Sequence, residues 1–270
     1  MAWHKHVIIF TMQALNSRLT PGAQAIWINE RSCRLEIPAG PADRYQLAQL
    51  DDYQDLRRAA FPQQPPLILD LQARASDHQH PGTWGFGLWN DPFSLGRLGG
   101  AGPLRLPCLP NAAWFFFAAP PNHLSLRDDQ PGRGWLAMTF RSPTRPAAWI
   151  AGAGLLAPLL LTRLTARLLR KLAHHPIHQE SRAVLVDPTE WHAYRIEWQP
   201  DKVKFLVDNH TLFESNHPPS GRLGLVIWVD NQYAAWTPEG RLRWGLLESF
   251  APAWLEIRAF NLIRFETTRS

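Results

Sequence analysis

Leu67–Ala75, LILDLQARA, places Leu67, Leu69, Leu71 and Ala73 on one side of an extended chain and Ile68, Asp70, Gln72 and Arg74 on the other. A period of two over this length marks a β-strand with one buried face and one wet face. Further strand-like runs fall at Lys5–Met12, Ala23–Asn29, Cys33–Ile37, Gly82–Asp91, Ala112–Ala119 and Gly134–Arg141. The last third adds Arg182–Val186, Glu190–Trp198, Lys202–Val207, Arg222–Val229 and Trp254–Phe265. The Glu30–Ser32 segment and the Asp208-Asn209 pair read as hairpin turns, the latter without the usual glycine. Tyr45–Ala60 reads as a polar loop with a helical turn, stopped by the prolines of Pro62–Pro66. A chain of 270 residues suits one large β domain.

One segment breaks the pattern. From Leu161 the period becomes 3.6: Leu161, Leu164, Leu168 and Leu172 form a stripe, with Arg163, Arg167, Arg170 and Lys171 opposite. Ahead of it Ala147–Leu161 is an uncharged run of 15 residues containing Pro158, short of the roughly 20 needed to span a bilayer. The insertion at about 146–178 therefore predicts an amphipathic cationic helix at a membrane interface, with Trp149, Arg163, Arg167, Arg170 and Lys171 as its contacts. A helix packed on the sandwich or in a dimer interface is the alternative. Charge follows the same boundary. Arg141–Arg182 holds seven Lys/Arg and one acidic residue, whereas the remainder holds 21 Lys/Arg against 22 Asp/Glu. A basic excess confined to one segment argues against nucleic acid as partner and toward an anionic lipid surface.

Glu190–Phe213, EWHAYRIEWQPDKVKFLVDNHTLF, resembles consecutive strands of glycoside hydrolase family 16, an aromatic H-x-Y-x-I-x-W strand followed by a D-x-V-x-F-x-V-D hairpin. Trp254–Phe265 resembles that family's closing strand, and GTWGFGLWN its cleft-lining region, which brings in Trp84 and Trp89 as ligand contacts. The resemblance covers roughly Leu67–Phe93 and Arg182–Phe265. It implies an all-β, concanavalin A-like jelly-roll sandwich of two antiparallel sheets with a carbohydrate cleft on the concave face. The family's catalytic signature is E-x-D-x-E or E-x-D-x-x-E, two glutamates on one strand of that face. Retaining hydrolysis demands that pair, one carboxylate attacking the sugar while the other protonates the leaving oxygen. No such string exists here. The strand expected to follow the first tryptophan region reads AAWFFFAA, and no family catalytic residue carries over.

Two segments offer substitutes. Trp89-Asn90-Asp91 and Trp228-Val229-Asp230-Asn231-Gln232 each set an Asp two residues after a Trp on the same strand face. If both strands line the cleft, Asp91 and Asp230 converge at one end as candidate acid or base, above Trp89, Trp228 and Trp114 or Phe115, with the Asn90, Asn231 and Gln232 amides alongside. Turn-capping is the alternative role for such Asp and Asn residues. Gly85 and Gly87 share the Trp89 face, which suits either close approach of another group or a bend.

Other chemistries find less support. His174 and His178 are four apart, but Pro176 lies between them and no third ligand follows, so neither a metal nor a cofactor is expected. The Gly-rich Leu95–Gly102 loop lacks the strand and helix of a phosphate cradle. Cys33 and Cys108 permit one disulfide and require none. The N-terminus reads as a first strand, not a signal peptide, which suggests a cytoplasmic protein at the inner membrane face. Three functional expectations follow: a divergent family-16-like protein that binds a carbohydrate or glycoconjugate, a membrane-associated protein whose aromatic cleft holds an apolar lipid or isoprenoid, or a purely structural or interaction module.

Overall fold

The structure is a computed structural model that describes residues 5–78, 80–92, 103, 105–144, 162–173 and 175–267. Two antiparallel sheets face each other across one core. The first has the order β13 (His210–Ser215), β12 (Val203–Val207), β11 (His192–Trp198), β6 (Leu67–Ala75), β17 (Ala253–Thr267), β4 (Ser32–Ile37) and β3 (Gln24–Asn29), with β1 (Lys5–Phe10) also on β17. The second runs β10 (His178–Ala183), β9 (Gly134–Arg141), β8 (Ala112–Ala118), β7 (Thr83–Trp89), β14 (Gly224–Asp230), β5 (Leu47–Asp51) and β2 (Asn16–Leu19). A separate hairpin pairs β15 (Gln232–Trp236) with β16 (Leu242–Leu246). The architecture is the concanavalin A-like jelly-roll sandwich.

Alternation decides what each sheet buries. Leu67, Leu69, Leu71, Ala73 and Ala75 of β6 are buried, while Asp70 reaches outward to Arg195 at 2.7 Å and Arg74 to Glu256 at 2.7 Å. In β8 every residue is buried, because both faces of the strand are covered: Ala113, Phe115 and Phe117 join the core between the sheets, and Ala112, Trp114, Phe116 and Ala118 join a second apolar cluster outside it. Asp208 and Asn209 turn the β12–β13 hairpin with φ of 49° and 64°, which a tight hairpin turn demands and which Asp and Asn tolerate.

Several expectations need correction. The presumed loop at Tyr45–Ala60 contains β5, whose Gln49 and Asp51 are buried because they hydrogen-bond each other at 2.7 Å. The β15–β16 hairpin was not legible, since its strands are short and mostly exposed. Both cysteines are free, one of the two states that the sequence left open. His192 lies at the wet end of β11, its Nδ1 2.7 Å from Asp208.

The helix α1 spans Arg163–Ala173, started by Thr162, whose hydroxyl accepts from the Thr165 N–H, and followed closely by Pro176. It packs through Ala166 and Arg170. Arg170 was expected at a membrane surface. It is instead buried: it pairs with Asp128 and donates to the carbonyls of Trp236 and Ser125 at 3.0 and 2.8 Å. Trp149, the Ala147–Leu161 run, the Leu95–Gly102 loop and His174 lie outside the described residues. No described helix is long and apolar enough to cross a membrane.

Candidate functional site: an aromatic cavity on the outer sheet face

A cavity of about 610 Å³ opens on the face of the second sheet turned away from the core. Its floor comes from alternate positions of the central strands: Trp114 and Phe116 of β8, Val226 and Trp228 of β14, and Leu47 and Gln49 of β5. The ring centroids of Trp114 and Trp228 lie 5.9 Å apart, Phe116 and Trp228 5.5 Å, and Trp89 and Trp114 5.7 Å. Loop residues Tyr45, Tyr53, Leu124 and Leu126 close over them.

Gly85 makes the floor possible. It faces the cavity from β7, opposite Trp228 in the β7–β14 register. A Cβ there would fall 2.4 Å from the Phe115 carbonyl oxygen and 2.8 Å from Trp228 Cη2. The glycine thus allows the Trp228 indole to lie across its neighbouring strand, the close-approach role rather than a simple bend.

At one end Asp230 is buried among hydrogen-bond donors. The Thr83 hydroxyl donates to its Oδ1 at 2.7 Å, the Thr83 N–H to the same oxygen at 3.2 Å and the Gln232 N–H at 3.3 Å. Trp228 Nε1 in turn donates to the Thr83 hydroxyl at 3.0 Å. Loss of hydration pushes the Asp230 carboxyl up to about 7, and the bonds from Thr83, Gln232 and Tyr45 only partly offset it. Burial, with the Asp230 charge second, also holds the Tyr45 phenol well above its ordinary range. Asp230 therefore exchanges its proton near neutrality, at the polar end of an otherwise apolar chamber.

Asp91 behaves differently. Arg105 Nη1 meets its carboxylate at 2.7 Å, and the same guanidinium donates to the carbonyls of Tyr53, Gln54 and Leu56. Both side chains are buried, so Asp91 is spent on a clamp that pins the Tyr53–Leu56 loop over the cavity. The expected convergence with Asp230 does not occur. β7 and β14 are antiparallel, with Thr83 opposite Asp230 and Trp89 opposite Gly224. Six strand steps at about 3.3 Å set the two ends roughly 20 Å apart. Among the described residues the chamber lining therefore offers no pair of carboxyls at the roughly 5–5.5 Å that retaining glycoside hydrolysis needs.

Of the other sequence-expected residues, Trp89, Asn90, Trp114, Trp228 and Gln232 line the cavity. Trp84 and Phe115 do not: strand alternation turns them into the inter-sheet core, where Trp84 packs on Trp135 at 4.2 Å and Phe115 on Tyr194 at 5.0 Å. Asn231 is wholly buried and ties Arg44, Gln46 and Leu247 backbones together. Asn90 touches the cavity, but its amide holds the Leu109 carbonyl and the Asn111 N–H. Sequence reasoning missed Thr83, Gln49, Tyr45, Tyr53 and Phe116. Phe116 was recoverable by alternation from Trp114; the rest needed strand register. Among the described residues no group of three or more His, Cys, Asp or Glu is placed to hold a metal ion.

The fold and the cavity define a β-sandwich protein with an aromatic chamber on the outer face of one sheet. No family model and no curated protein matches the chain. Among solved structures it is similar to the κ-carrageenase from Pseudoalteromonas carrageenovora in complex with an oligotetrasaccharide of κ-carrageenan, at 9% identity, 97% of this chain, 96% of that one and TM-score 0.49. It is similar also to the laminarinase catalytic domain from Thermotoga maritima, at 12% identity, full coverage of both chains and TM-score 0.47. A third is the GlcNAcα1-4Gal releasing endo-β-galactosidase from Clostridium perfringens, at 11% identity and TM-score 0.47. There the match takes in 91% of this chain and 54% of that one, so the chain spans about half of that enzyme's length.

Proposed function

We propose that the protein is a divergent glycoside hydrolase family 16-like protein that binds a carbohydrate or glycoconjugate in the aromatic cavity, without that family's two-carboxylate hydrolysis. The row Trp89, Trp114 and Trp228, with successive centroids under 6 Å apart and a polar end at Asp230, Thr83 and Gln232, is the observation that carries this reading. Indole faces suit the C–H faces of sugar rings, and the polar end suits hydroxyl groups. The cavity volume also falls in the range of about 300–1,000 Å³ common to small-molecule sites. Calorimetric titration with laminarin and carrageenan oligosaccharides tests it. Binding that weakens at least about tenfold in Trp228→Ala, the loss of roughly 1.4 kcal/mol or more, is expected. A panel without any binding sugar overturns the reading.

A second reading has its own support. Trp114, Phe116 and Trp228 are each less than 10% exposed, and Thr83, Asp230, Gln49 and Trp89 are already hydrogen-bonded to protein partners. Such a lining suits an apolar guest, a lipid or isoprenoid carried or transformed there. Mass spectrometry of solvent extracts from the purified protein distinguishes the two: a co-purifying lipid lost in Trp228→Ala favours this one.

A further inference from the structure

Amphipathic helices of water-soluble proteins turn their apolar stripe inward. α1 does the reverse. Its packing side is Ala166 and Arg170, whereas Leu164, Leu168 and Leu172, one above another at four-residue spacing, are 79%, 56% and 51% exposed. Arg163, Arg167 and Lys171 form an exposed stripe next to the leucines, and α1 contains no acidic residue.

The fold holds this helix firmly with its leucines outward. Arg170 anchors it from below, and Trp236 Nε1 donates to the Ala166 carbonyl at 3.2 Å. Gly240, at φ 78°, lies so close that a Cβ would fall 2.1 Å from the Arg163 carbonyl oxygen. The β15–β16 hairpin extends the patch. Trp236 pairs with Leu242 and Ala234 with Trp244, so all four share the hairpin face on which α1 rests. Trp236 is half-buried against the helix, while Trp244 is 71% exposed; Arg241 and Arg243, on either side of Leu242, are exposed as well. Glu239 is the acidic residue of the hairpin turn, and Asp128 is engaged by Arg170.

We infer that α1 and the β15–β16 hairpin dock the protein onto an anionic lipid bilayer, with Leu164, Leu168, Leu172 and Trp244 entering the headgroup region and Arg163, Arg167 and Lys171 pairing with lipid phosphates. Charge complementarity selects this occupant: exposed leucines bordered on one side by cations are the pattern of an interfacial helix, and an interfacial Trp is the usual companion. Gln232, Tyr233 and Ala234 of the same hairpin line the cavity, so the bilayer would lie beside the cavity mouth.

Flotation with phosphatidylcholine vesicles, with and without phosphatidylglycerol, tests the inference on the full chain. Wild type is expected to float with the anionic vesicles, and to do so less at high salt. Each of Arg163→Gln, Arg167→Gln and Lys171→Gln is expected to lower partitioning about fivefold. Leu164→Ser with Leu168→Ser is expected to abolish it, with circular dichroism and the melting temperature unchanged because both positions are exposed. No flotation of wild type, or equal flotation of the leucine variant, overturns the inference. So does a leucine variant that instead dissociates an oligomer in light scattering, which would assign the patch to a second copy of the chain. Trp228→Ala, directed at the proposed sugar site, is expected to leave flotation unchanged, so the two readings fail separately.

Discussion

Trp228 Nε1 donates to the Thr83 hydroxyl at 3.0 Å, and that hydroxyl in turn donates a hydrogen bond to Asp230 Oδ1 at 2.7 Å. The orientation of the largest ring on the cavity floor and the hydrogen bonding of its buried carboxyl are thereby tied to one threonine. Thr83→Val keeps the shape and removes the hydroxyl. We expect a loss of about 1–3 kcal/mol from the unpaired groups it leaves, read by urea unfolding, together with weakened cavity binding. Unfolding indistinguishable from wild type would show that the chain of bonds contributes nothing.

Asp230 gives the protein a pH dependence of defined sign. Its folded pKa, about 7, lies above the unfolded carboxylate value near 4, so the folded state binds the proton more tightly. Its contribution to stability is complete below about pH 4 and lost as pH rises to 7, an upper bound on the order of 4 kcal/mol. Asp51 and Asp52 are shifted in the same direction, by burial first, so the informative quantity is the difference between wild type and Asp230→Asn. The variant is expected to gain relative stability as pH increases from 4 to 8 in chemical denaturation. A constant difference across that range rules the assignment out.

Gly85→Ala is expected to destabilise by about 1–3 kcal/mol, since a methyl group meets the Phe115 carbonyl and the Trp228 ring and neither can move without disturbing the sheet. Thermal unfolding checks this, and quenching of tryptophan fluorescence by acrylamide should rise as the Trp228 ring is displaced.

Arg105→Met leaves the Asp91 carboxylate buried without its partner, and a loss of about 3–5 kcal/mol is expected. The double variant Arg105→Met with Asp91→Asn should recover part of it, because no charge is then stranded. A double variant no more stable than the single one would mean that Asp91 and Arg105 act independently.

Much of the frame was legible in the chain itself. Leu67–Ala75, Glu190–Trp198 and Trp254–Phe265 declare their strands through period-two patterning that local sequence carries unaided. The same rule, applied along AAWFFFAA, separates Trp114 and Phe116 from Phe115, although only the partner sheet shows which set meets the core. β5 escaped notice because Gln49 and Asp51 look like loop residues until each has the other as a partner.

The helix follows the same division. Its 3.6 period and its cations are properties of the sequence, but sequence spacing alone could not say which stripe packs. The fold buries Ala166 and Arg170, where Asp128 and the Trp236 and Ser125 carbonyls satisfy the guanidinium, and leaves the leucines outside. The site was decided likewise. The sequence determined that an E-x-D-x-E pair is absent and that Trp89 and Trp228 each precede an Asp by two residues. Antiparallel pairing of β7 with β14 then sent those two Asp residues to opposite ends of one cavity, Asp91 to a clamp on Arg105 and Asp230 to a dry pocket beside Thr83. Periodicity is a local property and is written in the chain; register and burial are relations between distant segments, and only their packing sets them.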